Sequence, residues 1–133
     1  MKKVNERFDD ISGCIRKEYE LDESLKEFYE QLKNSDVDTK RVYLNEDVEA
    51  DMKNVSGTCD IDYLNENYDK IIGESSDLGA FSISLVGKYN DAEYVIRTYP
   101  KNNNNVYLFT DESSVELPNM MVKKNEQGLG ISK

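Results

Sequence analysis

Carboxylates are the one reactive group this chain holds in quantity, so their spacing is where a search for chemistry starts. Twenty-seven Asp and Glu stand against seventeen Lys and Arg, and histidine is absent. Without histidine, Ser–His and Cys–His nucleophilic catalysis and His-ligated metal centres are excluded. Asp60-Ile-Asp62, followed by Asn65, Asn67 and Asp69, has the outline of a calcium loop. It fails at the sixth position, Asn65 instead of Gly, and at the twelfth, Ile71 instead of a bidentate Glu. Asp51-Met-Lys53 matches the end of a metal-nuclease pattern, two carboxylates on Mg²⁺ with a Lys beside the attacking water. Three residues in so charged a chain match by chance, and no two carboxylates are singled out for glycoside hydrolysis. Neither GxGxxG nor GxxxxGK occurs, and Gly128-Leu-Gly130 precedes no helical pattern that would aim amides at a phosphate. The expectation is no catalytic residue, no cofactor and no metal.

The carboxylates are spread unevenly. Residues 41–79 carry ten acidic and three basic side chains, while residues 80–133 carry six of each. The excess charge therefore sits in Glu46, Asp47, Glu49, Asp51, Asp60, Asp62, Glu66 and Asp69, with Glu74 and Asp77 beyond them. With a net charge of −10, such a surface repels phosphates and anionic membranes and attracts basic proteins. The plainer reading is that acidity keeps a small domain soluble. Tyr94, Tyr99 and Tyr107 form a rival binding face, because tyrosine buries a large area at low entropic cost.

These features point to a small protein-binding inhibitor that blocks a basic, nucleic-acid-binding partner, its carboxylates standing in for phosphates. In size, acidity and lack of catalytic apparatus the chain resembles the small phage-encoded antagonists of host defence, anti-CRISPR and DNA-mimic proteins among them. That likeness is one of character, carried by no residue motif. A toxin-neutralising immunity protein or an acidic chaperone would use the same complementarity, and a carboxylate-based metal enzyme is the remote alternative. Direct contact with nucleic acid or membrane is not expected.

The elements that must position these residues follow from periodicity. Val4, Phe8, Ile11 and Ile15 lie on one helical face, and Leu25, Phe28, Tyr29 and Leu32 on a second, clearer one. Ser24 with Glu27 forms a capping box for the second. Residues 3–34 read as one long helix or a hairpin of two. Arg41–Leu44 is a short strand, and Asn45 a possible cap for a short helix carrying Val48, Met52 and Val55. Thr58–Leu64 alternates like a strand, and Tyr68, Ile71 and Ile72 suit a helical turn or two that Gly73 stops. Phe81–Leu85, Glu93–Tyr99 and Val106–Thr110 form an antiparallel meander with Asn90-Asp91 as one turn and Pro100–Asn105 as the other.

The expected fold is α+β: an N-terminal helix or helical hairpin packed on one face of an antiparallel sheet of about four or five strands. A single domain spans 1–133, divided into a helical part (1–36), a mixed acidic segment (37–79), the β-meander (80–118) and a tail (119–133) that adds an edge strand or ends mobile. Cys14 and Cys59 form neither CxxC nor a four-ligand pattern, which suits reduced thiols in a cytoplasmic protein, a single disulfide being the minority alternative. The start, MKKVNERFDD, lacks the apolar stretch of a signal peptide.

Overall fold

Seven extended segments of this chain pair into one sheet. The computed structural model describes residues 1–46, 55–75, 81–101 and 105–122. Its elements are β1 (Lys2–Asp9), β2 (Cys14–Glu20), α1 (Leu25–Lys33), β3 (Asp38–Glu46), β4 (Val55–Cys59), α2 (Ile61–Glu74), β5 (Phe81–Tyr89), β6 (Ala92–Thr98), β7 (Asn105–Thr110) and α3 (Leu117–Met120). All seven strands are antiparallel, in the order β1-β2-β7-β6-β5-β3-β4.

The expected N-terminal helix or helical hairpin on four or five strands is overturned. Residues 2–20 are a β-hairpin closed by Gly13 at φ +73°, with Gly13 N donating to Asp9 O at 2.8 Å. Val4, Phe8 and Ile11 do keep helical spacing, but they are 45%, 60% and 97% exposed, so no core reads that face. The inward set on β2 is Ile15, Lys17 and Tyr19, paired with Thr110, Leu108 and Val106 of β7. A lysine in the middle of that set breaks the apolar alternation that would have announced a strand.

The second helix is α1, where Ser24 Oγ accepts from Glu27 N at 3.2 Å and Leu25, Phe28, Tyr29 and Leu32 are all buried. Three further expectations change. Asn45 lies within β3 opposite Ser82 and caps no helix, while Val48 and Met52 fall outside the described residues. The alternation from Thr58 to Leu64 is two elements: β4 ends at Cys59, and Asp60 Oδ1 accepts from Tyr63 N at 2.7 Å to start α2. That helix runs through Gly73 to Glu74. Past β7 the chain forms α3, and residues 123–133, most of the tail expected to add an edge strand or end mobile, lie outside the described residues.

The helices cover one face. Tyr29 Oη bonds Thr98 Oγ1 of β6, Tyr19 Oη of β2 bonds Glu116, and Tyr89 Oη of β5 donates to Asn119 O at 3.1 Å. Between the layers lie Phe28, Leu32, Leu64, Val42, Ile83, Leu85, Ile96, Leu108 and Leu117, each 0–1% exposed, and burial of this apolar surface drives the fold. Gly87 lets β3 approach: a Cβ there would overlap the Asp38 carbonyl and sit 2.7 Å from Tyr94 Oη. The β5–β6 turn places Asn90 and Asp91 at φ 51° and 66°, the positive pair of a two-residue hairpin.

Candidate functional site

Of the acidic set expected to meet a partner, the structure places half. Asp60, Asp62, Glu66 and Asp69 belong to α2 or its cap, whereas Asp47, Glu49 and Asp51, and the side chain of Glu46, lie outside the described residues. Asp60 is occupied as the N-cap. Asp62 pairs with Lys33 at 3.5 Å and Asp69 with Lys26 at 2.9 Å, ion pairs that lace α2 antiparallel to α1. Asp62 is nevertheless 65% and Asp69 80% exposed, and pairs so open to solvent contribute about 0–1 kcal/mol. Glu66, Glu27 and Glu30 are exposed on the same layer. Segments 23–34 and 60–75 together hold eight acidic and three basic residues, so the helix layer is acidic as a whole.

The three tyrosines divide between the faces. Tyr94 points into the core at 1% exposure, with its hydroxyl 2.8 Å from Thr39 Oγ1 and burial pushing its pKa up to about 12. Tyr99 and Tyr107 meet edge to face on the open side, ring centroids 6.1 Å apart. The register across the strands reveals what surrounds them. One row reads Arg7, Arg16, Phe109, Val95, Val86, Arg41 from β1 to β3; the next reads Asn5, Glu18, Tyr107, Arg97, Ser84, Tyr43. These two adjacent rows contain every arginine in the chain. Arg16 lies over the Tyr107 ring at 4.5 Å, and Arg97 Nε donates to Ser84 Oγ at 3.1 Å.

Beside these rows runs a trough of about 600 Å³. Ile11, Cys14, Val86, Val95 and Phe109 give it an apolar lining, and its charges balance: Asp9, Glu93 and Asp111 against Lys40, Lys88 and Arg97. Sequence reasoning named Tyr99 and Tyr107 for a rival face and passed over the arginines beside them. Their only local signal was rarity, because residues 7, 16, 41 and 97 come together through strand pairing alone.

On the covered face lies a polar clamp. Lys17, with no exposure, donates to Ser113 O and Val115 O at 2.7 Å each and pairs with Glu116 at 3.1 Å. Glu116 also pairs with Lys3 at 3.0 Å and accepts from Tyr19 Oη. Burial alone would raise the Glu116 carboxyl, but the hydrogen bonds from Tyr19, Lys3 and Lys17 hold it down at about 2. Lys17 is thus a buried, fully satisfied cation paired with a partly exposed carboxylate, and the clamp ties the segment after β7 to β2.

Both thiols are free. Cys14 on β2 and Cys59 on β4 are separated by five strand spacings, about 24 Å, where a disulfide needs Cα atoms within about 7 Å. Burial, then the charge of Asp60, pushes the Cys59 thiol up, away from the nucleophilic thiolate. Among the described residues no three His, Cys, Asp or Glu side chains are grouped to hold a metal. None of the described helices is long and apolar enough to cross a membrane. In comparisons with known proteins, no family model, no curated protein and no solved structure matches this chain.

Proposed function

We propose that this chain is a stoichiometric protein-binding inhibitor of a basic partner whose own ligand is nucleic acid, and that the outer surface of α1 and α2 is its contact. The partition of charge supports this reading: the helix layer is strongly acidic, while all four arginines lie on the opposite face. Two antiparallel helices set their carboxylates in two rows, and such carboxylates meet Arg and Lys through charge-assisted hydrogen bonds as phosphates do. The exposed pairs of Asp62 and Asp69 with lysines are weak enough for a partner's guanidinium to displace.

The test reverses Glu27, Glu30, Asp62, Glu66 and Asp69 to Lys, leaving Asp60 alone because its loss would uncap α2. Immobilised wild type is offered the heparin-binding fraction of a bacterial extract at low and high salt. Proteins retained by wild type at low salt, released by salt and lost on the reversed variant support the reading, since exposed charges are screened within about 10 Å at 0.1 M salt. Equal retention by a reversed variant with an unchanged circular dichroism spectrum sinks it.

A further inference from the structure

The open face of the sheet is composed like an interface, and no described helix or strand packs over it. This chain engages several of its lysines internally: Lys3 and Lys17 with Glu116, Lys26 with Asp69, Lys33 with Asp62. Its arginines are treated differently. Arg7 approaches Asp9 only at 4.0 Å, and Arg16, Arg41 and Arg97 have no carboxylate within ion-pair distance among the described residues. Three such guanidiniums on one face, unpaired with any described carboxylate, mark a surface able to take counter-charges from a partner. Arginine is the side chain whose planar fork grips a carboxylate or phosphate at two points, and Arg and Tyr are the residues over-represented where interfaces hold most of their energy.

We infer that this face is a second docking surface, independent of the acidic helix layer, for a protein segment that brings carboxylates and at least one apolar side chain. The apolar side chain would lie over Phe109, Val95 and Val86, and the carboxylates would reach the arginines flanking that strip. The trough decides against a polyphosphate. Its own Asp9, Glu93 and Asp111 cancel its three cations, so charge alone would not hold a polyphosphate on a protein of net charge −10. A polypeptide adds apolar side chains for the strip between the arginines. Five strand spacings and three rows of side chains cover about 500 Å² per partner, at the small end of specific interfaces, where association is transient.

The experiment uses three fluorescent probes of equal length: a peptide of alternating Glu and Leu, one of alternating Lys and Leu, and oligo(dT). Anisotropy is measured against wild type, Arg16→Ala/Arg97→Ala, Arg16→Lys/Arg97→Lys and the helix-layer reversal, with circular dichroism on each. The Glu–Leu peptide should bind the helix-layer reversal no less tightly than wild type, since the five lysines only add attraction, so failure of the acidic-inhibitor reading leaves this one standing. It should bind about tenfold more weakly when the two arginines are removed, and the lysine pair should restore only part of that loss, because charge without the fork remains. Binding of oligo(dT) in preference, equal binding of the Lys–Leu peptide, or indifference to the arginine substitutions overturns the inference. So does sedimentation as a dimer that Arg16→Ala/Arg97→Ala dissolves, which would make a second copy the occupant.

Discussion

The covered and open faces of this sheet share the same strands, alternating residue by residue, and yet they solve different problems. Under the helices most polar groups are paired, Asn65 Oδ1 being a buried exception: Tyr29 with Thr98, Tyr94 with Thr39, Lys17 with two carbonyls and Glu116. On the open side Arg16 stacks on a tyrosine and Arg97 bonds a serine, and among the described residues no layer covers the half-buried apolar strip. The difference separates stability from recognition. One face uses its polar groups to hold the layers together; the other keeps guanidiniums that pair with no described carboxylate.

The most damaging way to probe the covered face is Gly87→Ala. The new methyl would overlap the Asp38 carbonyl, backbone that cannot move without breaking the β3–β5 pairing. A loss of more than about 4 kcal/mol is expected in urea unfolding, and a loss under about 1 kcal/mol would show that β3 yields easily.

A sharper comparison uses one residue type on both faces. Phe28 has no exposure beneath the sheet, whereas Phe109 is half-buried on the open side. Phe28→Ala should cost about 3–5 kcal/mol and Phe109→Ala roughly 1–2 kcal/mol, in proportion to the smaller apolar area it hides. Equal costs would mean the open face carries as much of the fold as the core does, and the division drawn above would fail.

The third probe is acid. The Glu116 carboxyl is held near 2 when folded against an ordinary value of 4.5, so it adds stability above the ordinary value and gives it up as pH falls from there toward 2. After solvent screening, about 1–3 kcal/mol should disappear over that interval. Thermal melts of wild type and Glu116→Gln should converge at the acid end. A gap unchanged by pH would place the clamp's contribution in packing instead of charge.

What the sequence disclosed depended on how local each signal was. The capping box Ser24–Glu27 and the face Leu25, Phe28, Tyr29, Leu32 specify α1 within nine residues, and they are found as read. The alternation in β5 and β6 was equally plain. The N-terminal hairpin was hidden because its interior position 17 is a lysine, acceptable there only through carbonyls and a carboxylate almost a hundred residues away. Ile61 and Tyr63 continued the rhythm of Cys59 across a strand end, and Asp60, taken for the polar side of a strand, was the cap that broke it. The arginine rows lay beyond reach for the same reason as the hairpin. Register joins Arg7, Arg16, Arg41 and Arg97, and no short window of sequence contains a register.

The place of β7 in the sheet also sets an order in time. Of the seven described strands β1 and β2 leave the ribosome before the others, but β7, the other neighbour of β2, is made after the rest, ~85–95 residues later along the chain. At about 5–20 residues per second that is a wait of roughly 5–20 s, during which a hairpin cannot persist alone. Throughout that interval Tyr19 has no cover and Lys17 no counter-ion. The molecule is therefore completed by its beginning: β3, β5 and β6 can associate as they emerge, and the N-terminal strands join once β7 offers an edge and Glu116 follows to neutralise the buried lysine.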